Sequence, residues 1–179
     1  YGYMQVLFPS SEQALRQSNS DHNQRFIELA IHATDSRYNK GQSINPGFLL
    51  AILLWPAVEL QIEEEKKQHE HFFQQIHAAI ETVLREQNNT LMIPKRLKSM
   101  MRSVWLLQYH LINRRAKRVH RSIAHRYFRA AYDFLELKVK AGDTHQDAYQ
   151  WWKRFQSAKA AEREQMLSQL NPHKKRRKH

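Results

Sequence analysis

The chain has 179 residues, 41% of them apolar, which is about one domain's length and enough to bury a core. With no Cys it excludes a disulfide framework, a thiolate metal site and a cysteine nucleophile, and it fits a reducing, cytoplasmic setting. A net charge of +12 makes an anionic partner the leading expectation, and charge alone admits nucleic acid or an anionic membrane surface.

Only four Gly and five Pro stand among many Leu, Ala, Gln, Glu, Arg and Lys, so helix is favoured over strand. Neither a strand pattern of useful length nor a repeat of solenoid period is visible. The expected fold is all-α: an irregular multi-helix body with a basic, disordered C-terminal tail. Three parts are expected: an N-terminal helical segment (1–44) continuing from an upstream region, a helical body (45–157), and a terminal helix with the tail (158–179). The chain opens on Tyr1 rather than Met and in mid-pattern, which suggests a fragment or a processed product.

In chain order, YGYMQVLFP (1–9) is apolar and aromatic but too short for a unit of its own, so it is expected to pack on something else. No signal peptide is expected there. Residues 10–20 begin a helix, with Ser10 or Ser11 as cap and Glu12 in the first turn. Asp21 is a second cap, before the stripe Phe26, Ile27, Leu29, Ala30 and Ala33, and residues 39–42 carry turn chemistry. Asn45-Pro46 is a strong helix start, Asn as cap and Pro at the first helical position. The run 47–55 is apolar all round and reads as a buried helix, too short to span a bilayer. Pro56 predicts a kink or short break after Trp55. Beyond Val58 a charged stretch leads to the core stripe Phe72, Phe73, Ile76, Ala79, Ile80, Val83 and Leu84, ended by Asn88-Asn89-Thr90.

Pro94 opens the next helix, with an inner face of Leu97, Met100 or Met101, Val104, Leu107 and Leu111. The basic helix is expected to run from 94 to 121, with Arg114, Arg118 and Arg121 on one face. Phe128, Ala131, Phe134 or Leu135 and Val139 mark a further helix stopped by Gly142. Tyr149, Trp152 and Phe155 mark a short amphipathic one. Lys174, Lys175, Arg176, Arg177 and Lys178 form the basic tail, which has nothing to bury and adds non-specific phosphate affinity.

The interval 95–132 is the chemical focus. Lys95, Arg96, Lys98, Arg102, Arg114, Arg115, Lys117, Arg118, Arg121, Arg126 and Arg129 lie in it without one Asp or Glu. Such a surface repels itself, and a polyanion relieves the repulsion. Arginine forks suit phosphates, while Trp105 and Tyr109 offer either stacking faces for unpaired bases or core packing. Nucleic-acid binding is the reading that charge and interleaved aromatics favour.

Catalytic chemistry has no foothold in the residues. His69 and His71 are two apart, so on a helix they point about 200° away from each other. There is no His-Glu-x-x-His run, Gly-rich phosphate loop, nucleophile elbow or EF-hand pattern. Glu63, Glu64 and Glu65 read as a solvated helix exterior. Neither a catalytic centre nor a metal site is expected.

Five separated blocks carry a resemblance: NPGFLLAILLW (45–55), IPKRL (93–97), VWLLQ (104–108), RAAYDFLEL (129–137) and WW (151–152). In order and spacing, with LFP (7–9), they resemble the C-terminal half of bacterial poly(A) polymerases. These belong to the class II nucleotidyltransferase group, related to the CCA-adding tRNA enzymes. The resemblance implies an enzyme that adds adenylate from ATP to RNA 3′ ends, using Mg2+ held by carboxylates on a catalytic head upstream of this chain. No residue here matches those carboxylates, so the chain itself carries no cofactor and is expected to be inactive alone. What it implies for this part is an all-helical body that grips RNA, single-stranded at its 3′ end, rather than a membrane. The body of a CCA-adding enzyme, a stand-alone helical nucleic-acid-binding module and a partner-docking module remain open alternatives.

Overall fold

The computed structural model describes residues 2–17 and 21–171. Among the described residues are ten α-helices and no strand, so the all-α expectation is borne out. In order they are α1 (Gly2–Leu7), α2 (Pro9–Gln17), α3 (His22–Asn39), α4 (Pro46–Glu65), α5 (Phe72–Gln87), α6 (Lys95–Ile112), α7 (Ala116–Ile123), α8 (Phe128–Lys140), α9 (Gln146–Ser157) and α10 (Ala160–Leu170). The basic tail, with Lys174, Lys175, Arg176, Arg177 and Lys178, lies outside the described residues.

The opening segment packs mainly through Phe8: α1 buries no residue, and its Tyr3 and Val6 are exposed. Phe8 is buried between α1 and α2, and the Gln87 side chain at the end of α5 donates to the Leu7 carbonyl at 2.7 Å. Asp21 does precede α3, but its side chain makes no capping bond. Likewise Ser11 is buried inside α2 rather than capping it. The exit of α3 follows turn chemistry. Gly41 takes φ +67°, a left-handed conformation that suits a residue without a Cβ, and the Gln42 N–H reaches back to the Arg37 carbonyl at 2.9 Å.

At the start of α4 the sequence reading is met atom by atom. Asn45 Oδ1 accepts from the Gly47 N–H at 2.9 Å and the Phe48 N–H at 3.3 Å, and Pro46 sits at the first helical position. Gly47 is also where α6 comes close, since a Cβ there would stand 2.8 Å from Met100 Sδ. Pro56 does not break α4, which runs unbroken to Glu65. Pro56 and its neighbours Trp55, Ala57 and Val58 are all buried, so packing on several sides holds the helix through the missing N–H. By length and composition α4 alone among the described helices could cross a bilayer, yet half of its apolar window is buried in the fold, against α2, α5 and α6.

Two expected long segments are divided. The stretch from Val58 to Leu84 is interrupted by turns at 66–71, between α4 and α5. The basic helix expected at 94–121 stops at Ile112 and resumes as α7. At the break, Asn113 Nδ2 donates to the Tyr109 carbonyl at 3.2 Å, a local bond that competes with the helical ladder.

The core comes in two clusters that meet along α6. The first joins Phe26, Ile52, Leu54, Trp55, Ile76, Ile80, Met101, Trp105 and Phe134. The second joins Leu107, Leu111, Val119, Phe128, Leu135, Trp152, Phe155 and Met166. Helix α6 therefore shows different faces to both. Its buried polar groups pin neighbours in place: Trp105 Nε1 donates to the Ala51 carbonyl at 3.1 Å, and Gln108 Nε2 to the Ala131 carbonyl at 3.0 Å. Trp152 Nε1 returns the favour from α9 to the Leu111 carbonyl at 2.8 Å. With its inner face so committed, α6 holds its outer face at a fixed place beside α5.

Candidate nucleic-acid interface

The outer face of α6 has a direction. Lys95, Lys98, Arg102 and Tyr109 are three, four and seven residues apart, which at about 100° per residue places them within one narrow sector. Their neighbour is α5, running alongside. Glu81 of α5 meets Arg102, with Nε at 2.7 Å from Oε1 and a second guanidinium nitrogen 3.3 Å from Oε2. Phe72 and Phe73, at the start of α5, meet Tyr109 with ring centroids 5.5 and 5.7 Å away. One seam thus carries cations at one end and aromatic rings at the other, roughly 20 Å away at 1.5 Å per residue.

Beyond Tyr109 the chain turns through residues 113–115 into α7. Phe73, Tyr109, His110, Asn113, Arg115 and Arg118 there enclose a pocket of about 180 Å³. Arg115 and Arg118 are exposed and form no ion pair among the described residues. Burial, with the charges of Arg118 and Arg115 beside it, holds the His110 pKa below its ordinary value. The imidazole is therefore neutral at pH 7.

The predicted residues separate once placed. Lys95, Arg96, Lys117, Arg118 and Arg121 are exposed, and Lys98 is half-buried against the α5 side. Arg102 is tied to Glu81, whose carboxyl is held below the usual glutamate range chiefly by that hydrogen bond. Arg114 is withdrawn: it lies in the α6–α7 connection, bonds Asp147 at 3.2 Å and covers the Trp151 ring at 5.6 Å. It does not share a helical face with Arg118 and Arg121, because the helix has already ended. Trp105 is completely buried and hydrogen-bonded, so it stacks no base; core packing is its place. Tyr109 stays partly exposed in the aromatic group.

The sequence pattern places Phe72 and Phe73 in the core stripe, and the structure corrects this. They are 41% and 43% exposed, because burial on α5 begins only at Gln75 and Ile76 and the first turn runs past the core. Periodicity carried no sign of this. The signal that did exist was their position directly after the polar turns at 66–71.

A larger cavity of about 360 Å³, lined from α4, α5, α6 and α8, shares Phe72 and Tyr109 with the aromatic end of the seam. Glu59, Glu63 and Asp143 line it together with Lys138. A phosphate entering it would meet three carboxylates, so it does not extend the cationic seam. Lys138 is buried against the Trp55 ring at 4.6 Å and Asp143 at 3.6 Å, and burial lowers its pKa.

Fold and surface define the class: an all-helical body with a one-sided cationic seam that ends in exposed aromatic rings. The family described as "Polymerase A arginine-rich C-terminus" matches residues 68–179, which contain α5 to α10 and every residue of the seam. This chain belongs to that family. Poly(A) polymerase I of Salmonella typhi is 31% identical over 174 residues, covering 96% of this chain and 37% of that protein. Poly(A) polymerase I of Escherichia coli O157:H7 gives the same identity and coverage, at 31%, 96% and 37%. That of Haemophilus influenzae is 27% identical over 187 residues, covering 99% of this chain and 40% of that protein. The chain thus spans about 37% of the length of the first of these relatives. The resemblance read from the separated blocks is borne out.

Proposed function

We propose that this chain is the RNA-binding body of a polynucleotide adenylyltransferase, which adds AMP from ATP to RNA 3′ ends in mRNA processing and turnover. The observation that carries this is the α5–α6 seam, which runs from Lys95 to the exposed aromatic rings and is continued beyond them by Arg115 and Arg118, all three cations without an ion-pair partner among the described residues. Guanidinium and ammonium groups along it attract phosphates, and the rings favour an unpaired strand over a closed duplex. Lys98, Lys117, Arg121 and Arg96 widen the electrostatic field, and the tail residues Lys174 to Lys178 add phosphate affinity that slows the RNA's departure between additions.

Chemistry belongs to a catalytic head outside this chain. ATP and Mg2+ are implied for the whole enzyme, but among the described residues there is no group of three or more His, Asp or Glu that could hold a metal ion. No catalytic step is therefore assigned to residues here; they bind and orient.

Anisotropy titration of labelled oligo(A) at several salt concentrations tests the proposal. With about six phosphates engaged, log affinity falls against log salt with a slope near −4, at about 0.7 per phosphate for single strands. Replacing Arg115 and Arg118 by Ala lowers the affinity and flattens the slope by roughly one. Affinity that ignores salt, or that survives the double substitution unchanged, overturns the reading. Stronger capture of folded tRNA than of oligo(A) would instead favour the body of a CCA-adding enzyme.

A further inference from the structure

The pocket at the aromatic end of the seam is more specific than a charged surface requires. Phe73 leaves 43% of its surface in water, although it stands within a turn of a well-packed core. Around it the rings are splayed rather than stacked: Phe73 and Tyr109 meet at 62°, with centroids 5.7 Å apart, and Phe73 and His110 at 38° and 6.1 Å. The result is an open wedge of about 180 Å³, room for one planar ring but not for a whole nucleoside triphosphate. At its edge Asn113 spends its Nδ2 on the Tyr109 carbonyl at 3.2 Å, while Oδ1 receives no donor among the described residues. Arg115 and Arg118 stand at the mouth without an ion-pair partner among the described residues.

We infer, on the RNA-binding reading above, that this wedge takes a single unstacked nucleobase of the bound strand. The base lies against Phe73 and Tyr109, Arg115 and Arg118 hold the phosphates on either side of it, and Asn113 Oδ1 accepts from an exocyclic amino group. Adenine and cytosine carry such a group on their Watson–Crick edge, and uracil does not. The occupant is a nucleotide rather than an apolar side chain of a protein partner because the two guanidinium groups need an anion. An apolar partner would bury both charges uncompensated. The neutral His110 adds ring surface without a further charge at the wall.

The test separates base from backbone. The full chain is titrated with oligo(A), oligo(U) and an abasic oligonucleotide of equal length, each at several salt concentrations, for the unchanged protein and for Phe73→Ala, Phe73→Trp, Asn113→Ala and Arg115→Ala/Arg118→Ala. Base stacking of the usual size makes oligo(A) bind at least about fivefold tighter than the abasic strand. Phe73→Ala brings that ratio towards one and leaves the salt slope unchanged, whereas Phe73→Trp restores the ratio. Arg115→Ala/Arg118→Ala flattens the slope and keeps oligo(A) ahead of the abasic strand. Asn113→Ala removes the preference for oligo(A) over oligo(U). If Phe73→Ala keeps the wild-type ratio while salt-dependent binding persists, the base pocket is wrong and the RNA-binding body stands. If the unchanged protein binds none of the strands, both fall.

Discussion

Trp105 and Arg114 show how one residue's role turns on what surrounds it. Both sit in the acid-free interval, and both belong to residue types that grip nucleic acid. Trp105 instead fills the core beneath α6 and donates to the Ala51 carbonyl of α4. Full burial of such a ring stabilises the fold by roughly 2–3 kcal/mol. Trp105→Phe should therefore cost about 2 kcal/mol in urea unfolding, through the lost hydrogen bond and a partial cavity, and leave oligo(A) affinity as it was. A loss of affinity without a loss of stability would return Trp105 to the surface. Arg114 likewise spends its charge inside the molecule, fastening the α6–α7 connection to α9 through Asp147 and Trp151.

At the scale of elements, the helix boundaries that mattered were written in local chemistry. Asn45 caps α4 with two backbone N–H groups on one side-chain oxygen, and the same helix start places Gly47 under Met100, where α6 crosses closely. Asn45→Ala should lower stability by about 1 kcal/mol, read as a shift in the urea midpoint with an unchanged slope. A loss of that size loosens the α4–α6 contact as well as the helix end. The α6–α7 break is the other decisive boundary. By stopping α6 at Ile112 it lets Arg115 and Arg118 fold back over Tyr109, and a continuous helix would have carried them a turn or more beyond the pocket.

Across the whole molecule, a charge of +12 leaves a net self-repulsion that the nine Lys and Arg ion pairs among the described residues do not cancel. Most of those pairs are solvent-exposed and individually worth little. Raising NaCl from about 0.05 to about 0.3 M should accordingly raise the melting temperature followed by circular dichroism, while the same change weakens oligo(A) binding. Opposite signs for the two responses are the mark of a surface built for a polyanion. A melting temperature that falls with salt would mean that the pairs outweigh the repulsion.

The sequence by itself determined the helical class, the Asn45 cap, the turn at Gly41, the family blocks and the identity of the cationic interval. All of these rest on neighbours a few residues apart, where propensity, capping and periodicity act directly. Only the tertiary structure decided which cations are free. Glu81 reaches Arg102 from an earlier helix and Asp147 reaches Arg114 from a later one, so an interval without acids in sequence is partly neutralised in space. It also decided that Phe72 and Phe73 face water while Trp105 does not, although all three fit an apolar stripe. Periodicity fixes the side of a helix on which a ring lies; where the neighbouring helix ends fixes whether anything covers it.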